Sequence, residues 1–273
     1  PESYRKAVSS VYLRRNASEV LTELPDLNVN DNLTDMSQDA LSLYVHYTYA
    51  RNIMGMRRAA YPGIEDLNEQ SSKISKVKEL IEYYLKNKRS IVVFSYFLDV
   101  LEQVKEIFPN EIAGVINGST SAKERLDISD RVNHDPTPKI VLSQIVAGGV
   151  GLNLQGASAV IICEPQLKPS TTNQAICRVY RMGQYRNVDA HLILSNPNAL
   201  ARLDFKLTSN NIIKEKTFDE FARKSELADM SLTGKDAGVK KKLNTIVEEE
   251  YNKIKLLLKG NPYSRGDELK SGE

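Results

Sequence analysis

Lys139-Ile-Val-Leu-Ser-Gln-Ile-Val-Ala-Gly-Gly-Val-Gly-Leu-Asn-Leu154, followed closely by Ala157-Ser-Ala-Val-Ile-Ile-Cys163, decides the fold. Each stretch holds a short apolar run without polar alternation, the pattern of a strand covered on both faces. The same signal recurs outward from this pair. Strands are predicted at 91–95, 112–116, 139–143, 158–163 and 188–194, with helical patterns between them at 97–108, 121–133 and 170–182. Strands alternating with helices give a parallel sheet with helices on both faces and right-handed crossovers. Ligand chemistry in such sheets collects beyond the carboxyl ends of the strands. Ser95, Asn117 to Thr120 and Ala147 to Gly151 all fall there, which points to one functional edge.

Downstream lies Gln174-Ala-Ile-Cys-Arg-Val-Tyr-Arg-Met-Gly-Gln184. On a helix, Gln174, Arg178 and Arg181 share one face at i, i+4 and i+7, while Ala175, Val179 and Met182 form an apolar stripe. Gly183 supplies the stop. Two guanidiniums fixed side by side suit a polyphosphate, since each is permanently charged and binds oxyanions bidentately. Taken alone, the same residues read as an ordinary solvated basic face.

The two blocks together resemble the Swi/Snf-type ATPases, DNA-translocating motors of helicase superfamily two. Ala147-Gly-Gly-Val-Gly-Leu-Asn-Leu154 is similar to that family's motif V, and Gln174 to Gln184 to its motif VI, in the family's order and separation. Ser90-Ile-Val-Val-Phe-Ser95 resembles motif IV, and Asn117-Gly-Ser-Thr120 with Arg125 the motif that follows it. Upstream, Tyr12-Leu-Arg-Arg15 and Val20-Leu-Thr-Glu-Leu-Pro25 resemble signatures at the end of the first lobe, and Ser71-Ser-Lys-Ile74 the start of the second.

The resemblance implies a RecA-like three-layer α/β domain over 71–196. It is preceded by a helical remnant of the first lobe's protrusion and linker over 1–70, and followed by a helical brace and polar tail over 197–273. It implies that Arg178 and Arg181 complete an ATP site across a cleft, with Arg181 as the finger proper and Gln174 orienting the pair. Spacing alone does not rank the two arginines. Gly149, Gly151 and Asn153 are implied to bind nucleotide and couple it to the DNA track, although a purely structural turn also accounts for such glycines. Ser95, Gly118, Ser119, Thr120, Arg125 and Gln144 are implied to contact the double-stranded DNA backbone. Helix capping explains Ser119, Thr120 and Ser121 almost as well. Three departures stand out. Glu164-Pro-Gln-Leu-Lys-Pro169 replaces an Asp-rich turn and Trp-Asn-Pro, Tyr180 replaces a His, and Gln144 to Val146 replaces Ser-Thr-Arg.

Hydrolysing ATP also needs a phosphate-cradling loop and a magnesium-holding acid. Neither Gly-x-x-x-x-Gly-Lys-Ser/Thr nor an Asp-Glu box is present; the one Gly-Lys pair, Gly234-Lys235, is followed by Asp236. Most ligands of ATP and Mg2+ are therefore expected from a missing N-terminal RecA-like lobe. By itself this chain is expected to bind nucleotide weakly and hydrolyse nothing. It starts at Pro1 without an initiator Met, as a piece of a longer ATP-hydrolysing parent would. Rival readings are a lobe of an unwinding DNA or RNA helicase, or a non-catalytic interaction module of the same fold.

The chain has 273 residues, 41% hydrophobic and 26% charged, with a net charge of +2. These values fit a globular protein and permit nucleic-acid binding without arguing for it. No run approaches membrane-spanning length and no signal peptide opens the chain, so an intracellular monomer with no membrane partner is expected. Cys163 and Cys177 sit in apolar or helical stretches, and His46, His134 and His191 lack ligand spacing, so no metal site is expected. Residues 1 to about 70 read as helical, without a strand of their own. Leu243, Ile246, Val247, Tyr251, Ile254, Leu257 and Leu258 make an amphipathic stripe, and Lys240 to Lys242 and Glu248 to Glu250 read as solvated faces.

Overall fold

The computed structural model describes residues 24–61, 73–147, 152–166, 169–196 and 235–259. Its strands are β1 (Leu27–Thr34), β2 (Ser90–Ser95), β3 (Ile112–Ile116), β4 (Ile140–Gln144), β5 (Ala157–Ile162) and β6 (Val188–Ser195). Its helices are α1 (Gln38–Tyr49), α2 (Ile53–Arg58), α3 (Lys73–Lys86), α4 (Leu98–Ile107), α5 (Ala122–His134), α6 (Pro169–Ile176) and α7 (Lys235–Lys259). The strands form one sheet in the order β1-β6-β5-β2-β4-β3, parallel throughout. This is the predicted RecA-like α/β arrangement.

Period-two alternation of a strand's side chains divides the core in two. Val92 and Phe94 of β2 face a cluster with Ile128 and Val132 of α5 and with Val179. Ile91 and Val93 face Ile74, Val77 and Ile81 of α3 and Val100, Leu101 and Val104 of α4. Burying each such aliphatic side chain contributes about 1.5–3 kcal/mol. The central strands β2 and β5 are buried at every position, which is why they carry continuous apolar runs.

The expectation that residues 1–70 contain no strand is overturned. β1 pairs with β6 along all eight residues, from Leu27↔Val188 to Thr34↔Ser195. Its sequence, LNVNDNLT, is poor in β-formers. Cross-strand hydrogen bonds compensate: Asn28 Nδ2 donates to Asp189 at 2.9 Å, and Asn32 Nδ2 to His191 Nδ1 at 3.1 Å. Tyr180, one of the departures noted above, donates its hydroxyl to Pro25 O at 2.9 Å and pins the chain leading into β1.

Helices α1 and α2 pack with α7 through Tyr44, Met56, Ala59, Ile246, Val247 and Ile254. Most of the predicted α7 stripe is thereby used, while Leu257 is exposed and the Leu258 side chain lies outside the described residues. The solvated reading of Glu248 to Glu250 fails at Glu250, which is fully buried and accepts from Tyr44 Oη at 3.1 Å. Glu248 pairs with Arg51. Lys240 to Lys242 have no described side chains.

One polar chain ties β1, β6 and α3 together. His191 is buried, with Asn32 at Nδ1 and Tyr84 Oη 2.6 Å from Nε2. The neutral tautomer protonated on Nε2 satisfies both contacts. Arg89 Nη1 lies 2.7 Å from Asp189, which also acts on Tyr84. Burial lowers the His191 pKa from 6.5 to about 4, Lys76 and Arg89 push the same way, and Asp189 opposes. Below pH 6.5 the unfolded chain takes up a proton that the native imidazole refuses until about pH 4, so stability is lost as pH falls through this window. The full shift corresponds to about 3 kcal/mol. In urea titrations between pH 7.5 and 4.5, H191Q should lose less stability than the wild type. Parallel curves would remove His191 as the cause.

Candidate functional site

The carboxyl ends of β2, β3, β4 and β5 carry the loops on which the predicted site residues lie. Helix α6 ends at Ile176, not near 182 as predicted. The bonding then turns irregular: Cys177 N donates to Asn173 O, but Arg178 N donates to Ala175 O, and Ile176 O accepts from both Val179 N and Tyr180 N. The chain departs because it is recruited elsewhere. Arg178 O accepts from Leu154 N at 3.1 Å, and Arg181 Nη1 donates to Leu152 O at 3.3 Å. Gly183 adopts φ +92°, in the left-handed region that favours glycine.

Gln184 locks this turn in place. Its buried amide nitrogen donates to Gln155 O, Ala157 O and Val179 O at 2.8–3.2 Å, and Oε1 accepts from Tyr185 N and Arg186 N at 3.0 Å. The premise of one helical face carrying Gln174, Arg178 and Arg181 is therefore corrected: Gln174 stands exposed on α6, and both arginines stand on the turns beyond it. Arg178 is half-buried and Arg181 exposed, and their backbone is placed by its bonds to Leu152 to Ala157, not by helix periodicity. Cys177 is an unreactive neighbour, its pKa pushed up to about 11 by burial, with Arg178 opposing.

Asn153 is described, while Gly149 and Gly151 lie outside the described residues. The Asn153 carbonyl accepts from Ser129 Oγ and from Asn133 Nδ2, the latter at 3.0 Å. In the loop after β3, Asn117 Oδ1 accepts from Ser119 N at 2.9 Å and from Ser119 Oγ at 2.7 Å. The Thr120 hydroxyl accepts from Asn117 N at 2.9 Å. The helix cap is Ser121, in a reciprocal capping box with Glu124. Gly118 and Ser119 are exposed, and a Cβ on Gly118 would meet nothing within 4 Å. That glycine answers to no packing demand.

Two residues expected at the DNA have partners within the protein. Ser95 is fully buried and donates to Glu164, whose other oxygen accepts from Tyr96 N at 3.1 Å. The Arg125 guanidinium is spent on three carbonyls, Asn117 O and Ala147 O at 2.9 Å and Thr120 O at 3.0 Å. Gln144 stays part-exposed, donating to Tyr96 O at 3.3 Å.

The sequence reading missed the group around Glu164. This carboxylate is buried beside β2 and β5, and burial raises its pKa while Ser95, Arg57, Tyr96 N and Lys73 pull it down. Arg57 and Lys73 are each only 2% exposed. Arg57 Nη2 donates to Pro165 O at 2.8 Å, fastening α2 to the loop after β5. The available signal was the departure at Glu164 to Pro169, but nothing local tells which cations answer it. Among the described residues no group of three His, Cys, Asp or Glu side chains could hold a metal ion.

A family model described as the helicase conserved C-terminal domain matches residues 72–183. The C-terminal part of the Fun30 ATPase domain superposes with a TM-score of 0.61 at 17% identity, covering 84% of this chain and 98% of that one. The Sulfolobus solfataricus SWI2/SNF2 ATPase core, solved in complex with dsDNA, also gives 0.61, at 23% identity over 93% of this chain and 55% of that one. Residues 72–183 thus carry a helicase C-terminal domain, and in fold the chain is similar to SWI2/SNF2 ATPase cores.

Among the relatives, an uncharacterised ATP-dependent helicase of Mycoplasma genitalium is 29% identical over 219 residues, 71% of this chain and 21% of that protein. The DNA repair and recombination protein RAD26 of Saccharomyces cerevisiae is 24% identical over 284 residues, 90% of this chain and 26% of that protein. The chain thus spans about a fifth to a quarter of the length of these two relatives. No helix among the described residues is long and apolar enough to cross a membrane.

Proposed function

We propose that this SWI2/SNF2-type lobe is the second half of an intracellular ATP-dependent translocase acting on double-stranded DNA, with Arg178 and Arg181 completing an ATP site whose other half lies on an N-terminal RecA-like lobe. The reading is supported by the anchoring of Arg178 to Gln184 onto Leu152 to Ala157, which sets the backbone that bears both arginines beside the motif V segment. The guanidiniums fit a triphosphate, offering permanent charge and forked donors. ATP, when bound with Mg2+, supplies the cleavable phosphoanhydride. The lobe's arginines neutralise charge that develops only in the transition state. Gln174 lies exposed one turn before Arg178, within the same block, and serves to orient the pair.

Gly118, Ser119, Thr120 and Gln144 are the remaining candidates for contact with the DNA phosphate backbone. A translocase must move without regard to sequence, and phosphate contacts carry none. Gly149, Gly151 and Asn153 are assigned by the same reading to link nucleotide and track. The isolated chain is expected to be a monomer, and to show no turnover because phosphate loop and magnesium acid are absent from its sequence. Steady-state ATP hydrolysis by a protein carrying both lobes, with and without duplex DNA, tests the function. Rising turnover on duplex without strand displacement is the expected result. Stimulation by RNA alone, or turnover indifferent to nucleic acid, would displace it.

A further inference from the structure

Helix α5 presents three polar side chains at i, i+4 and i+8 that all reach the same segment. Arg125 donates to Ala147 O at 2.9 Å, Ser129 donates to Asn153 O, and Asn133 Nδ2 donates to Asn153 O at 3.0 Å. Asn133 Oδ1 also accepts from Gly156 N at 2.8 Å. At that point the backbones nearly touch: a Cβ on Gly156 would come 2.2 Å from Val132 O and 2.6 Å from Asn133 Cα. One helix face therefore grips this segment at Ala147 and again at Asn153 and Gly156.

The two ends of this grip lead to different parts of the site. Arg125 also holds Asn117 O and Thr120 O, in the loop that carries Gly118 and Ser119. At the other end, Leu152 O accepts from Arg181, Leu154 N donates to Arg178 O, and Gln155 O and Ala157 O accept from Gln184. Helix α5 is thereby hydrogen-bonded at one end to the loop after β3 and at the other to Asn153 and Gly156, whose chain neighbours bind the backbone and side chains of Arg178 to Gln184.

We infer that Arg125, Ser129 and Asn133 are positioning residues, a brace through which the loop after β3 sets the placement of Arg178 and Arg181. The inference rests on the proposed function for what the two ends do; the brace itself rests on the hydrogen bonds alone. Arg125 thereby exchanges a role at the DNA surface for one beneath it. Its fork is suited to this task, because each carbonyl is met by a different guanidinium nitrogen, a spread that the single nitrogen of a lysine ammonium does not have.

Two measurements test it. In the 273-residue chain, S129A/N133A should speed amide hydrogen exchange at Leu154, Gly156 and Gln184, with the β2 and β5 amides unchanged; unchanged exchange at those three sites overturns the brace. In the two-lobed motor, S129A/N133A and R125K should each lower the ratio of duplex-stimulated to basal turnover at saturating DNA by about tenfold, within the usual range of site-to-site coupling. S129T, which keeps the hydroxyl, should restore the ratio relative to S129A. A structural defect alone would lower basal turnover in proportion and leave the ratio intact, and that result overturns the coupling. R125K should leave the salt slope of DNA affinity unchanged. If R125A flattened that slope by about one unit, Arg125 would be a phosphate contact and the brace would lose its first member. A wild-type motor without DNA stimulation would end the functional reading and the coupling with it, while the exchange measurement still decides the brace.

Discussion

Replacing Arg181 by alanine in the two-lobed motor is expected to lower DNA-stimulated ATP turnover by about 10³- to 10⁵-fold, the range associated with loss of an arginine finger. Arg181 is exposed and its guanidinium reaches Leu152 O through Nη1, so the side chain can leave with little cost to the fold. Duplex affinity should stay within a few-fold of wild type, and R181K should not restore the rate, because an ammonium cannot reproduce the bidentate fork. R178A should show a comparable loss combined with a lower melting temperature, since that side chain is half-buried. Comparing the two variants ranks the arginines, which their spacing cannot do. Full turnover in R181A with duplex present would remove the finger assignment.

R57A is expected to destabilise the 273-residue chain by about 3–5 kcal/mol, the usual cost of stripping one partner from a buried ionic group. Glu164 is 1% exposed and cannot recover hydration when Arg57 leaves. Lys73 remains, but the bond from Arg57 to Pro165 O, which holds α2 against the loop after β5, is lost as well. E164Q should cost less, because the amide oxygen can still accept from Ser95 or from Tyr96 N, although Arg57 and Lys73 then lose their counter-charge. Urea unfolding of the three proteins reads this order directly. A loss below about 1 kcal/mol in R57A would mean that the cluster is solvated well enough to behave as a surface pair.

Local chemistry made the sheet legible. Continuous apolar runs at β2, β4 and β5 can be explained only by burial on both faces, and the helical stretches between them leave parallel pairing as the simple solution. The functional edge followed, because loops after parallel strands gather at one end. The display of the arginines was not legible. Periodicity continued the helix to 182, but Gly183 and the buried Gln184 amide gave the backbone better partners in Leu152 to Ala157. Propensity cannot register a partner twenty or more residues away. The same holds for Arg125, whose charge suggested DNA and whose geometry directs it to three carbonyls.

The amino-acid order by itself determined the motif blocks, the five apolar strands and the placement of their loops, since each depends on short-range pattern and burial. Tertiary structure alone decided that a polar segment, LNVNDNLT, becomes the sixth strand, that Glu164 is answered by Arg57 and Lys73, and that Ser95 faces inward. Those outcomes turn on hydrogen bonds and charges between residues far apart in the chain: Asn28 meets Asp189, and Ser95 meets Glu164, only after the sheet has brought them together.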